Sequence, residues 1–191
     1  MRLISPMALA VLTTFVAART SLAGVNLVFN GGFETGNFAG WNVPPNVPPP
    51  NVNAAFFSVG GAGAHSGNHF ASLSSSQFQF VSQFLPGTVA GTEYELEFWL
   101  RKTSNAPASL AVRWEGEYVY FTPSQLPSTS SWYLFTVPLH AEFSGSFLEF
   151  GQNYFPLEFH VDDIVVRQVP TPSALPLLAL GGLVAFRRCR R

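Results

Sequence analysis

The sequence contains a single cysteine, Cys189, third from the C-terminus. A lone cysteine excludes an intramolecular disulfide, so a hydrophobic core must hold the fold by itself. Charge is scarce as well, at 11% Asp, Glu, Lys and Arg. Between positions 24 and 168 the basic residues number four (Arg101, Lys102, Arg113 and Arg167), against all eleven acidic residues of the chain. That stretch carries −7, although the whole chain carries −1. Such a surface excludes nucleic-acid binding, which needs clustered Lys and Arg to neutralise phosphates. It suits a solvated extracellular protein or one that holds a cation.

Catalytic motifs are missing too. There is no His-Glu-x-x-His and no glycine-rich phosphate loop. Gly63-Ala64-His65-Ser66-Gly67 places its serine one position late for a nucleophile elbow, and no helical pattern follows it. Glu115 and Glu117 flank Gly116, which is the pattern of a hairpin turn and not of a glycosidase carboxylate pair. His65 and His69 read as scattered, exposed histidines. These absences point to a protein that is not an enzyme.

What the chain does have is two unusual ends. Met1-Arg2 precedes an apolar run to Ala18, and Ser21 and Ala23 make a small-x-small site. That order is a Sec signal peptide over 1–23, cleaved after Ala23 by signal peptidase once the translocon has engaged it. At the other end, Pro170-Thr171-Pro172 opens an uncharged stretch that runs to Phe186, and Arg187, Arg188, Arg190 and Arg191 follow. Positions 169–186 are just long enough to span a bilayer. The terminal arginines would stay cytoplasmic. This segment, 169–191, resembles the PEP-CTERM sorting signal, with threonine where that family usually has glutamate. The resemblance implies transient insertion in the inner membrane, an exosortase as partner, and delivery to the surface or extracellular matrix of a Gram-negative-type bacterium.

The middle, 24–168, alternates apolar and polar residues in short runs separated by Gly, Pro, Asn and Ser. That pattern predicts an all-β antiparallel sandwich. Tyr94, Leu96, Phe98 and Leu100 share one face of a run, with Glu95, Glu97, Trp99 and Arg101 on the other. In 77–84, Phe78, Phe80 and Phe84 share a face. Further strands are expected over 25–29, 53–59, 69–73, 109–114, 118–121, 132–139, 146–150 and 159–168. The five prolines of 44–50 require an extended surface loop.

Four pieces in order resemble one family. They are Asn30-Gly31-Gly32-Phe33-Glu34-Thr35-Gly36 with Gly40-Trp41; Ala64-His65-Ser66-Gly67 with Phe70, Ala71 and Leu73; Val81-Ser82-Gln83 followed by Gly91-Thr92 and the Tyr94 run; and Val161-Asp162-Asp163-Ile164. Together they are similar to carbohydrate-binding-module jelly rolls of the galactose-binding type. The resemblance implies a jelly-roll sandwich, an extracellular polysaccharide as partner, and a structural calcium joining Glu34 to Asp162. Alternation places Asp162 with Ile164 and Val166, toward the core, and Asp163 on the opposite face. A buried carboxylate needs a partner, which favours an ion or a donor network around Asp162. Sugar faces stack on exposed aromatic planes. Trp99, on the polar face of its run, and Trp114, Tyr118 and Tyr120, around the next hairpin, are the expected ligand-binding residues. Trp41 and Trp132 read as core or corner residues.

Overall fold

The computed structural model describes residues 24–47, 55–105, 108–153 and 158–170. The expected signal peptide (1–23) and the sorting residues Thr171, Pro172 and Arg187 to Arg191 lie outside them.

Each alternating run must bury one face, so two sheets have to meet. Nine strands do this: β1 (Ala55–Gly60), β2 (Phe70–Ser75), β3 (Gln79–Leu85), β4 (Thr92–Lys102), β5 (Leu110–Trp114), β6 (Glu117–Phe121), β7 (Tyr133–Ala141), β8 (Ser146–Gln152) and β9 (Phe159–Gln168). The fold is all-β: a five-stranded sheet ordered β1-β2-β9-β4-β7 faces a four-stranded sheet ordered β3-β8-β5-β6, and all pairings are antiparallel. Apart from strands, the described residues hold one 3₁₀ turn, Pro123–Gln125.

The core lies between the sheets. Tyr94, Leu96, Phe98 and Leu100 are all buried, as their alternation predicts. Phe98 packs edge-on against Phe121 and Phe150, with centroids 5.3 and 5.2 Å apart. Burying each such side chain contributes about 1.5–3 kcal/mol. On β3 the outcome is the reverse of what three phenylalanines suggest. Val81 and Leu85 take the core face, and Phe78 and Phe84 face solvent with Phe80 between them.

Two segments outside the strands close the sandwich. Asn42 bridges to Ser82 on the free side of β3, and Val47 bridges to Ala55 on the free side of β1. The expected strand 25–29 does not form. Instead Leu27 donates its N–H to Val166 (2.9 Å), and the Asn26 side chain accepts from Val166 N–H (3.1 Å). This tie brings the two ends of the body together: a Cβ on Gly24 would lie 3.4 Å from the Gln168 carbonyl.

β9 also departs from simple alternation. Val165 stands opposite Glu97 and Asp162 opposite Trp99, so β9 has one residue more than β4 there. The extra residue makes a bulge, with Asp163 left-handed at φ 49°. Phe159 and Val161 before it, and Ile164 and Val166 after it, face the core. Asp162 therefore does not share the face of Ile164 and Val166, and Asp163 is not opposite to it. Both turn to the outer side of the five-stranded sheet.

Candidate functional site

The outer face of the four-stranded sheet is built from the residues that alternation turns away from the core. Across its strands run Phe80, Gly151, Ala111 and Tyr120, and beside them Ser82, Glu149, Arg113 and Tyr118. The two central strands contribute small residues, so the rings of the edge strands lean inward over them. A Cβ on Gly151 would meet the Phe80 ring at 2.7 Å, so any side chain there would displace that ring. The result is a raft of four rings. Phe78 and Phe80 stack 6.0 Å apart, Tyr118 and Tyr120 stack 5.9 Å apart, and cross-sheet contacts of 5.9 and 6.1 Å join the pairs. Phe78, Tyr118 and Tyr120 are exposed.

Arg113 anchors the middle. Its guanidinium lies 4.5 Å from the Phe80 ring centre, donates to the Tyr118 hydroxyl (3.1 Å), and makes a two-pronged pair with Glu149. That pair holds the guanidinium still further above its ordinary pKa range, so Arg113 stays charged. Next to it a cleft of about 480 Å³ is lined by Ser82, Arg113, Glu115, Phe143, Phe147 and Glu149. Phe84 and Phe147, 5.1 Å apart and both exposed, stand at this end of the face. The Glu115 carboxylate accepts from the N–H of Glu142 (2.7 Å) and from the Ser146 hydroxyl, fixing the turn before β8. It makes no pair with the exposed Glu117.

The outer face of the five-stranded sheet carries a second aromatic cluster, and it is covered. The loop before β2 folds over it, and His65 stacks on Trp99 with centroids 3.6 Å apart. Trp132 donates its indole N–H to the Gly63 carbonyl (3.1 Å), and Arg101 lies 4.6 Å from the Trp132 ring. Acidic residues clasp the loop. Asp162 is fully buried and accepts from His65 N–H (2.8 Å) and Ser66 N–H (3.3 Å). Asp163 accepts from the Ser66 hydroxyl and meets His65 Nδ1, each at 2.7 Å. Glu34 accepts from the N–H of Asn68 (2.9 Å) and His69 (2.8 Å). These N–H groups, Asn68 first, hold the Glu34 carboxyl below its ordinary range. Burial, then the charge of Asp163, pushes the Asp162 carboxyl up to about 6. Gly67 is left-handed, and a Cβ there would lie 2.5 Å from the Glu34 carboxyl carbon. Glycine is required at that position for conformation and for space.

Glu34 and Asp162 are thus brought to one loop, on either side of Gly32. A Cβ on Gly32 would lie 3.4 Å from Asp163 Oδ1 and 3.8 Å from Asp162 Oδ1. The Asp162 and Asp163 carboxylates face Gly32, the Glu34 stem passes it with its own carboxylate turned to Gly67, and carboxylates are the right donor type for a hard cation. Their oxygens, as they stand, point to N–H and O–H donors, and no three His, Cys, Asp or Glu among the described residues form a metal-holding group. His69 Nδ1 is buried beside this clasp with no hydrogen-bond partner, 3.8 Å from Glu34.

Of the four aromatics expected to bind ligand, Tyr118 and Tyr120 lie together in the raft. Trp99 lies on the other sheet beneath His65. Trp114 is 5% exposed and donates its indole N–H to the His140 carbonyl (2.8 Å). Alternation along β5 turns Leu110, Val112 and Trp114 inward together, so Trp114 is a core residue that no sugar can reach. Trp41 is buried, as expected, and Trp132 lies half-buried in the covered cluster. Sequence reasoning missed Phe78, Phe80, Arg113 and Glu149. The signal for Arg113 was present, since it is the lone basic residue on an outward position of β5. Its pairing with Glu149 depends on register, which the sequence does not display.

No family model matches the sequence, and no curated protein is similar to it in sequence. Solved structures are similar in fold. The CBM22-1 xylan-binding domain of Paenibacillus barcinonensis Xyn10C matches over 78% of this chain and 98% of its own, with 16% identity and a TM-score of 0.56. TmCBM61, solved in complex with β-1,4-galactotriose, matches over 76% of this chain and 99% of its own, with 17% identity and a TM-score of 0.55. The enzymatically active domain of bacteriophage CBA120 tailspike protein 4 matches over 75% of this chain at 12% identity and a TM-score of 0.56, but the chain spans only 21% of it. At these identities the likeness is one of fold.

Proposed function

We propose that this chain is an exported, non-catalytic surface or matrix module that binds a neutral polysaccharide on the outer face of its four-stranded sheet. One observation carries the reading: four aromatic rings, three of them exposed, form a raft beside a charge-balanced Arg113–Glu149 pair and an open cleft. Ring planes fit the apolar faces of sugars, and Ser82, Glu149 and the tyrosine hydroxyls offer partners for sugar hydroxyls. The binding of xylan and galactotriose by proteins of the same fold supports it. The preference for neutral sugars rests on charge. Arg113 is matched by Glu149, and Glu115 leaves the cleft net acidic, so a uronate would meet repulsion. Glu149 held by Arg113 and Glu115 held at the turn before β8 are placed as structural groups, which supports a non-catalytic role.

The test is calorimetric titration of the full chain with xylan, β-1,4-galactan and polygalacturonate. Saturable binding to a neutral polymer, lost in Tyr118→Ala/Tyr120→Ala, is expected. Binding to none would overturn the reading in favour of a purely structural matrix protein. Binding confined to the polyuronate would overturn the charge argument.

The route to the surface is proposed from the two ends of the sequence: Sec export, transient membrane insertion, and exosortase processing near Pro170. Intact mass of surface-extracted protein should lack Cys189 and the terminal arginines. Full-length chain in a membrane fraction at steady state would point to a permanent anchor. Calcium is proposed at the clasp on its donor chemistry: Glu34 and Asp162, with Asp163, would hold it, and it would supply positive charge to carboxylates whose side-chain neighbours are the imidazoles of His65 and His69.

A further inference from the structure

The four outer edges of the two sheets differ in one respect. Free edges offer unpaired N–H and C=O groups to any passing strand, and proteins block them with prolines, charges or covering segments. Three edges here are blocked. Asn42 exchanges two backbone hydrogen bonds with Ser82 on β3 (2.7 and 2.9 Å), and Val47 does the same with Ala55 on β1 (both 2.8 Å). β7 carries Pro138, which has no N–H to donate and is tolerated on an edge strand. β6 has neither a proline nor, among the described residues, a covering segment, and its one charge, Glu117, stands at its first position. Among the described residues its sole ladder partner is β5. It reads Glu-Tyr-Val-Tyr-Phe, with neither proline nor lysine, and Tyr118, Val119 and Tyr120 are 44%, 39% and 51% exposed.

We infer that β6 is an interface strand that pairs antiparallel with β6 of a second copy, about a two-fold axis through Val119. The sequence is self-complementary in that register. Tyr118 falls opposite the second copy's Tyr120, Val119 opposite its own counterpart, and Glu117 opposite Phe121. Like charges directly opposed would weaken a ladder, and this register opposes none. The single charged residue of β6 never meets itself: the two Glu117 side chains stand about 13 Å apart, four residues at strand rise. The pairing joins two four-stranded sheets into one of eight strands. Tyr118 and Tyr120 lie on the same outer face in both copies, so two rafts become one surface. A five-residue edge is a small contact, in the class below about 1,200 Å² that gives weak, reversible association. Its effect is largest where two copies are held on one polymer chain, which raises their effective concentration.

Sedimentation velocity of the full chain over a concentration series tests this. A reversible monomer–dimer equilibrium is expected, and Val119→Lys should remove the dimer. Should Val119→Lys fail to fold, cysteine cross-linking decides. In a Cys189→Ser background, Val119→Cys should oxidise to a disulfide-linked dimer, and Leu134→Cys, exposed on the β7 edge, should not. A wild-type chain that is monomeric at every concentration overturns the proposal. So does equal cross-linking at both positions. Cross-linking of Val119→Cys only to other proteins of a lysate would mean that the edge receives a foreign strand, and also overturns it.

Discussion

The two outer faces of this sandwich hold similar side chains in opposite states. Each has a cluster of aromatic rings around an arginine, Arg113 on the four-stranded sheet and Arg101 on the five-stranded one. On the first, small residues on the central strands let the rings lean together and remain open to solvent. On the second, the loop before β2 lies across the rings, and its own His65 takes the stacking position over Trp99 that a ligand would need. The difference is made by acids. Glu34, Asp162 and Asp163 clasp the loop through its backbone N–H groups and side chains, and among the described residues no comparable strap crosses the raft. An exposed-looking aromatic in a strand is a binding platform only if nothing else in the chain already occupies its face.

The largest effect belongs to neither face. Trp114→Ala removes a core ring between them and should cost about 3–5 kcal/mol, measured by chemical unfolding. A loss below about 1 kcal/mol would mean that Trp114 is not the buried residue described. The faces themselves are separated by two substitutions. Tyr118→Ala/Tyr120→Ala should weaken polysaccharide binding by roughly 100-fold with little change in melting, because central aromatic contacts carry most of a binding energy. Trp99→Ala should do the reverse, lowering stability by about 1–2 kcal/mol and leaving affinity unchanged. If Trp99→Ala abolishes binding, the covered face is the ligand site and the comparison is inverted.

The clasp gives a third contrast. With calcium at about a hundredfold excess over Kd, the ion should contribute about 2.7 kcal/mol, a rise of roughly 5–10 °C in melting temperature that chelator removes. Because Asp162 and Asp163 share a side, Asp162→Ala and Asp163→Ala should both reduce it. A melting curve indifferent to chelator would leave the clasp held by hydrogen bonds alone. The smallest effect is one of pH. Hydrogen bonding from His160, opposed by burial and helped by Ser72, keeps the Glu158 carboxyl below its ordinary range. A depressed acid stabilises the fold above the unfolded pKa and loses that contribution as pH falls through the folded one. Glu158 is nearly half exposed, so a few tenths of a kcal/mol at most are expected. The stability gap between wild type and Glu158→Gln should close as pH falls below the ordinary carboxylate range. A gap that widens there would reverse the assignment.

Much of the fold was legible because a period of two leaves little choice. The Tyr94 run showed its buried face directly, and the long apolar positions of β5 and β8 followed the same rule. The site was less legible for four reasons. Phe78, Phe80 and Phe84 clearly share a face, but the sequence does not say which face of β3 is the core, and size alone favours the wrong one. Trp114 had the alternation of Leu110 and Val112 behind it, and proximity to a hairpin is a weaker signal than that parity. Asp162 lies at a bulge, and one inserted residue reverses every orientation counted from the far end of the strand. Cross-strand partners such as Arg113 and Glu149 need a register that only the assembled sheet supplies.

The meeting of Gly24 with Gln168 has a consequence for architecture. Both chain ends leave the body at one corner, so anything attached there loads that corner alone. A body tethered there would hang from it as a pendant, with the raft left free. It is also a cassette: spliced into a surface loop of a host protein, it would ask the host only for two neighbouring attachment points, and a short linker across the same corner would permit circular permutation without stretching a strand.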